Sequence, residues 1–466
     1  MRSIIHAGRI GITLAYVVIA VLFALRTPAW QAPDEPAHYN YIRQVADGTL
    51  IPVLEGGDWD NDYLNQLKGA RFQPELLDRL DTIQYEDHQP PLYYWGGAIV
   101  YALTGGSLTA LRFYSILLTV GTVWLTYSIV RLLRPDSEAH QRSQPAVALG
   151  AMAFVAFLPQ QVAMTASVNN DALMGLVAAG TLFDVLRYVL PNREDNKDEG
   201  MVRHAPIGFA IMIAPVTPLR LGVWMGLILI SKTTIYFMGA VILLALYLRW
   251  RRDGVPFSVL IRRMLMFALP VLLVAGLWWG RNLAVYGVPD IMGLRRHDAV
   301  VVGQLRTSEL IAIEGANYFP TAARVTFQSF WGQFGWMSVP MDTVPTPQLP
   351  LVYPLLGLLT FVCLAGLIVG RLRGLLRDGL LILGAMIGLA LLVYVYYNTQ
   401  FVQFQGRYLF SALIPFAFFM AEGLDVWRQR FAPRAWLLTP AVFALLALLD
   451  LYLIWRVIPG ALMYEG

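Results

Sequence analysis

Apolar runs long enough to cross a membrane recur along this sequence from its first residues to its last. An α-helix needs about 20 residues to cross the hydrocarbon core of a bilayer. The 466 residues are 57% hydrophobic and only 14% charged, which lies outside the composition of ordinary soluble domains. The sequence therefore predicts an all-α polytopic membrane protein.

The first apolar run, roughly 10–25, is not followed by the small-residue cleavage site of a signal peptide, so we interpret it as a retained first helix. The single cysteine, Cys363, lies in another apolar run, which excludes an intrachain disulfide and a cysteine-based metal site. The net charge of +4 does not imply nucleic-acid binding, because the distribution of Lys and Arg matters more than their total in a membrane protein.

The positive-inside rule decides how the spans are counted. The stretch PPLYYWGGAIVYALTGG, residues 90–106, is apolar and rich in Gly, but at about 15 residues it is short for a crossing. With a cytoplasmic N-terminus, and if this stretch stays at the outer surface, the N-terminus and the cytoplasmic loops hold about 21 of the 35 Lys and Arg. We then expect about eleven spans, within a range of about 10 to 13. They are roughly 10–26, 110–132, 145–165, 171–189, 218–231, 233–249, 264–283, 350–370, 379–397, 407–426 and 436–456.

This layout divides the chain into three regions. Residues 1–283 would form an N-terminal transmembrane catalytic module with an outer loop at 27–109, and residues 284–349 an outer lid. Residues 350–466 would be the C-terminal transmembrane helices. Helical periodicity in AHYNYIRQVADG and NDYLNQLKGARFQPELLDRL predicts short interfacial helices in the first outer loop.

Three polar clusters would then lie at the outer boundary, where ionisable groups are costly unless they are paired or functional. Asp34, Glu35 and His38 follow the first span. The acids could simply begin the next helix, or Asp34 could serve as a general base. A like-charged neighbour near lipid would then raise the pKa of the base.

The second cluster, EDHQPP, contains His88 and Gln89, and Tyr93 follows in LYYW. His88 could be an ordinary hydrogen-bonding residue or a donor to a phosphate or sugar hydroxyl. The third cluster, SVNNDA, contains Asn170 and Asp171. These could cap a helix, or Asp171 could be a second acid that receives substrate or a metal opposite Asp34.

Two cations begin or end predicted spans on the same side. Arg407 follows Gln405 and Gly406 and precedes Tyr408, and Lys232 lies in ISKTTIY. Either side chain could reach the interface for structural reasons alone, or bind a phosphate.

The acidic pair in PDEPAHY, the segment HQPPLYYW and the acidic residue in PQQVAMTASVNNDA resemble the GT-C superfamily of membrane glycosyltransferases in their order and shared side. With SVNNDAL, WGRNLAVYG, FWGQFGW and QGRYLF, the resemblance extends over nearly the whole chain. That superfamily includes protein O-mannosyltransferases and the aminoarabinose transferases of lipid A. The motifs are most similar to an uncharacterised bacterial group. The resemblance implies transfer of a sugar, with inversion, from a polyprenyl-phosphate donor at the extracytoplasmic face of the cytoplasmic membrane.

The resemblance makes Asp34 the base, with Glu35 and Asp171 beside it as catalytic residues. His38, His88, Gln89, Tyr93, Asn170, Lys232, Arg407 and Tyr408 become candidate substrate contacts. Relatives often have Lys before the double proline, where this chain has Gln89. No cofactor is certain, and a divalent metal on Asp34 and Asp171 stays open.

The partners implied are membrane lipids and a glycan, lipid or protein acceptor of the cell envelope. The sequence identifies neither sugar nor acceptor. The alternative from another class is a transporter or flippase for a lipid-linked precursor, which would place charges near the membrane midplane.

Overall fold

The computed structural model describes residues 2–133, 143–190, 214–342, 350–370 and 375–464. In chain order, the helices of its first half are α1 (Arg2–Arg26), α2 (Glu35–Ala46), α3 (Asn61–Gly69), α4 (Leu92–Thr104), α5 (Leu108–Leu132), α6 (Ser143–Phe157), α7 (Pro159–Thr165), α8 (Asp171–Val189) and α9 (Pro218–Leu229). Those of the second half are α10 (Met238–Asp253), α11 (Phe257–Tyr286), α12 (Leu294–Val300), α13 (Thr307–Glu314), α14 (Tyr318–Trp331), α15 (Val352–Gly370), α16 (Arg377–Asn398), α17 (Leu413–Phe431), α18 (Leu438–Ala444), α19 (Leu446–Tyr452) and α20 (Ile458–Leu462).

Shorter elements join these helices. The 3-10 segments are Pro74–Thr82, Thr233–Ile235, Gly315–Asn317 and Gly406–Ala412, and Leu453–Val457 is a π turn. The strands β1 (Gln333–Phe334) and β2 (Val339–Pro340) form an antiparallel pair. The predicted all-α membrane fold is confirmed.

Each of the eleven predicted spans has a helical counterpart. Among the described residues, nine helices are long and apolar enough to cross a membrane, and the bent pair of α6 and α7 makes ten. The eleventh counterpart, α9, has 12 residues and rises only about 18 Å. It lies next to the 3-10 segment Thr233–Ile235, which leads into α10.

The stretch 90–106 forms the short helix α4, which packs against α2 and α5. Its 13 residues rise about 20 Å, which is less than the bilayer core. It ends at Gly105, whose φ of 64° places it in the left-handed region that favours glycine. Of the helices predicted in the first outer loop, the first is present as α2. The second is present only in part: α3 ends at Gly69, Arg71 and Phe72 have positive φ, and the 3-10 segment Pro74–Thr82 follows.

The core lies around α6, which is almost entirely buried. Pro159 has no N–H and ends α6, so that α7 leaves at an angle of 56°. The chain then turns through residues 166–170 into α8. This turn, the end of α1, the start of α2, the break between α9 and α10, and the segment Gly406–Ala412 meet at one end of the helices, where the candidate site lies.

Candidate active site

Asp34 occupies the turn between α1 and α2. Its φ of 66° is in the left-handed region, between Pro33 and the helix that contains Pro36. Arg407 Nη2 donates to Asp34 Oδ2 at 2.8 Å, and the Tyr85 hydroxyl donates to Oδ1 at 2.9 Å. The Asp34 side chain is 24% exposed, so this carboxylate faces an accessible cavity.

Arg407 is held by the 3-10 segment Gly406–Ala412. Its Nε donates to Gln405 Oε1 at 2.6 Å, and its Nη1 lies 3.9 Å from Asp171 Oδ2. A Cβ on Gly406 would lie 2.4 Å from the Thr326 carbonyl oxygen. Glycine is therefore needed for this segment to pack against α14.

Asp171 begins α8 and faces Lys232 from the break between α9 and α10. Lys232 Nζ donates to Asp171 Oδ1 at 2.5 Å and to Asn170 Oδ1 at 2.7 Å. The Asp171 backbone N–H is satisfied by Asn169 Oδ1 at 2.9 Å. Two acids, Asp34 and Asp171, thus share the cavity with two cations, Lys232 and Arg407.

His38 lies on α2 beside these groups. Its Nδ1 is 2.9 Å from the Tyr94 hydroxyl, to which Asn170 Nδ2 also donates at 3.3 Å. Asp34, His38 and Glu86 present ligand atoms within 4.8 Å of one another. Glu86 Oε2 is buried and has no hydrogen-bond partner among the described residues. These three side chains lie close enough together to hold a divalent cation if Asp34 leaves Arg407, whereas in the predicted pair with Asp171 both carboxylates are engaged by cations.

The pKa values in this cavity reflect burial and the two cations. Burial alone would raise the pKa of Asp34, but Arg407 and His38 stabilise its ionised form, and the pKa lies below its ordinary value. The predicted rise in the pKa of Asp34 is therefore wrong, because the positive charge of Arg407 stabilises the ionised carboxylate. Burial lowers the pKa of His38, although the nearby carboxylates of Glu86 and Asp34 act in the opposite direction. Burial raises the pKa of Glu86.

Glu35 is separated from this arrangement. It is fully buried, and both of its oxygens accept hydrogen bonds from Arg112 of α5, at 2.8 and 2.6 Å. Glu35 therefore does not point towards Asp171 or Lys232, although it is adjacent to Asp34 in sequence.

The remaining predicted contacts surround the cavity or lie outside it. His88 Nδ1 donates to the Tyr85 carbonyl at 3.2 Å, and its ring centroid is 4.4 Å from that of His297. Burial lowers the pKa of His88 to about 4. The Gln89 carbonyl accepts from the Tyr41 hydroxyl at 3.1 Å.

Two predicted tyrosines differ in position. Tyr93 is fully buried, and its hydroxyl is 2.8 Å from Ser115 Oγ in α5, so it packs in the core instead of lining the cavity. Tyr408 lies beside the Arg407 guanidinium, which is 5.4 Å from its ring centroid. Sequence reasoning did not single out Tyr85, Tyr94, Glu86 or Arg112, although Glu86 lies in the EDHQPP cluster and Tyr94 in LYYW. Of these, Arg112 could have been found from the sequence, since it is a charged residue within an apolar span and not at its cytoplasmic end, where Arg131 lies.

A family model described as dolichyl-phosphate-mannose-protein mannosyltransferase matches residues 88–215. This segment contains Tyr94, Arg112, Asn170 and Asp171, and over this part of the chain the match agrees with the resemblance indicated by HQPPLYYW and SVNNDAL. The crystal structure of ArnT from Cupriavidus metallidurans bound to undecaprenyl phosphate is similar at 13% identity and a TM-score of 0.49, covering 97% of this chain and 74% of that chain. No curated protein matches the chain significantly.

Proposed function

We propose that this protein is an inverting glycosyltransferase that moves a sugar from a polyprenyl-phosphate donor to a hydroxyl acceptor at the extracytoplasmic face of the membrane. The observation that carries the proposal is the meeting of Asp34, Asp171, Lys232 and Arg407 in one cavity at the end of the helices. The family match over residues 88–215 supports a lipid-phosphate sugar donor.

Asp34 is the base in this proposal. Its carboxylate takes the proton of the acceptor hydroxyl, and the acceptor oxygen forms a bond to the anomeric carbon as the bond from that carbon to the phosphate oxygen breaks. The electron pair leaves with the polyprenyl phosphate. Attack opposite the leaving group inverts the anomeric centre.

The two cations stabilise the leaving phosphate. Arg407 and Lys232 point into the same cavity, and fixed positive charge near a developing phosphate charge is a large catalytic term. Arg407 is paired with Asp34 and Lys232 with Asp171, so an incoming phosphate replaces these carboxylates as the partner of the two cations. If a divalent cation binds Asp34, His38 and Glu86, it would add positive charge near the phosphate.

An apolar cavity of about 860 Å³ lies between α14, α15, α16 and α17. A cavity of this kind could hold the hydrocarbon chain of a lipid-linked donor. Its lining includes Phe327, Phe330, Leu364, Val395, Phe404 and Leu409. Phe404 and Leu409 flank Arg407 in the sequence, so a hydrocarbon chain here would lie near the proposed phosphate position.

The test uses the purified protein in proteoliposomes with undecaprenyl phosphate linked to different labelled sugars, mannose first, and envelope extract as the acceptor. We expect label to appear in a covalent product of inverted anomeric configuration, formed only from donor on the outer face. Movement of labelled lipid between leaflets without covalent transfer would instead indicate a flippase and overturn the proposal.

A further inference from the structure

Arg112, which lies within the apolar helix α5, donates hydrogen bonds to backbone carbonyls at the end of α1. Arg112 is 3% exposed, and its Nη1 donates to the carbonyls of Ala24 and Thr27, both at 2.7 Å. Its Nη2 donates to the carbonyl of Pro28 at 3.1 Å. The last carbonyls of a helix have no partner within that helix, so the guanidinium fixes the path along which the chain leaves α1.

Arg112 also binds the carboxylate of Glu35, and both oxygens of that carboxylate accept two hydrogen bonds. Glu35 Oε1 accepts from Arg112 Nε and from the backbone N–H of Val168, at 2.8 and 3.1 Å. Glu35 Oε2 accepts from Arg112 Nη2 and from the backbone N–H of Trp30, at 2.6 and 3.0 Å. One buried ion pair therefore joins the end of α1, the following turn, the start of α2 and the turn before α8.

The joined segments carry the two acids of the cavity. Glu35 directly follows Asp34, and Val168 precedes Asp171 by three residues. Asp34 is held in the left-handed region, at φ 66°. A non-glycine residue keeps such a conformation only where its surroundings impose it, and the four donors on Glu35 supply that constraint.

We propose that Glu35 and Arg112 are positioning residues, which hold Asp34 and Asp171 at their reacting separation without contacting substrate. This assignment rests on the proposed transferase function. It differs from the sequence prediction that Glu35 is itself catalytic. Small misplacements of reacting groups cost large factors in rate, so the pair acts on the chemical step more than on donor binding.

The test compares Glu35→Asp and Glu35→Gln with Asp184→Asn. Glu35→Asp keeps the charge but withdraws the carboxylate by one methylene, and Glu35→Gln keeps the shape but removes the charge. Asp184 is the matched control because it is fully buried and paired with Arg220, at 2.5 Å. It lies on α8 about 20 Å from Asp171.

We expect Glu35→Asp to fold with some loss of thermal stability, and its folded fraction to bind undecaprenyl phosphate within about twofold of wild type but to lose about tenfold or more in kcat. Asp184→Asn is expected to lose stability while the folded fraction keeps its kcat. If Glu35→Gln does not fold, Glu35→Asp alone decides.

A folded Glu35→Asp variant with wild-type kcat would show a merely structural role and overturn this assignment alone. A Glu35→Asp variant that loses donor affinity as strongly as kcat would also overturn it. A wild type that transfers no sugar from any donor would overturn the proposed function, and this assignment with it.

Discussion

Asp34 and Glu35 are neighbours in the sequence, yet they pair with different arginines in different surroundings. The Glu35–Arg112 pair is closed, with side-chain exposures of 0% and 4%, and backbone groups satisfy both partners. In the Asp34–Arg407 pair, the arginine is 5% exposed but the acid is 24% exposed and faces a second acid and a lysine. The closed pair can stabilise the fold, whereas the open pair can exchange partners with a ligand.

The difference arises where α2 begins. Asp34 precedes the first helical residue in a left-handed conformation, and Glu35 is that first residue, so their side chains diverge. Glu35 therefore pairs with the buried Arg112, while the Asp34 carboxylate faces the cavity. Exposure and the number of protein donors, more than residue type, separate the two roles.

The largest expected effect is on catalysis by the open pair. Asp34→Asn should lower kcat by about 10²- to 10⁴-fold, because the amide cannot accept the acceptor's proton. Thermal stability should stay close to that of the wild type. Asp47→Asn, which changes an exposed acid at the end of α2, is the control and should keep full activity. Substantial transfer by Asp34→Asn in the same assay would remove Asp34 from the mechanism.

The free energy of unfolding should depend more on the closed pair than on the open pair. Arg112→Met would leave the Glu35 carboxylate buried without its cation, which typically costs about 3–5 kcal/mol. Arg407→Met should cost about 1–2 kcal/mol, because water can reach Asp34. Denaturant unfolding in detergent micelles measures both free energies. Equal losses for the two variants would erase the distinction between a closed and an open pair.

Ligand binding should depend on the open pair. Arg407→Lys keeps the charge but loses the planar, two-pronged geometry, so we expect about tenfold weaker binding of undecaprenyl phosphate. Binding to protein in nanodiscs, measured by tryptophan fluorescence or native mass spectrometry, tests this. Arg430→Lys, on the charged end of α17, is the control variant. Unchanged affinity in Arg407→Lys would place the phosphate elsewhere.

The smallest expected effect is on pH dependence. Since the pKa of Asp34 lies below its ordinary value, the base stays ionised and kcat/KM should not fall as the pH drops from 7 to about 5. In Arg407→Gln the cation that lowers this pKa is gone while burial, which raises it, remains. The acid limb of the profile should therefore move to higher pH, and an unmoved limb would contradict the assigned cause.

Much of this architecture follows from local sequence patterns. Hydropathy and the Lys and Arg distribution predicted a helical counterpart for every span, because the cost of leaving backbone polar groups unpaired in lipid permits few alternatives. The same layout predicted that Asp34, Asp171, Lys232 and Arg407 would share one side, and the structure brings these four together.

The partners within the site could not be predicted in the same way. Arg112 pairs with Glu35 across 77 positions, and only tertiary packing of α5 against α1 decides that contact. The choice between Tyr93 and Tyr94 depends on which face of α4 packs against α5, which a short apolar helix does not specify. The lowered pKa of Asp34 likewise depends on Arg407, which is 373 positions away. The three regions 1–283, 284–349 and 350–466 stay a prediction.

The most direct measurement of the central claim is a cryo-electron microscopy map of the protein with undecaprenyl phosphate in a nanodisc. We predict phosphate density within hydrogen-bonding distance of both Arg407 and Lys232, with the Asp34 carboxylate released from Arg407 and facing the same cavity. Phosphate density at a different site, with the Asp34–Arg407 pair intact, would contradict the account.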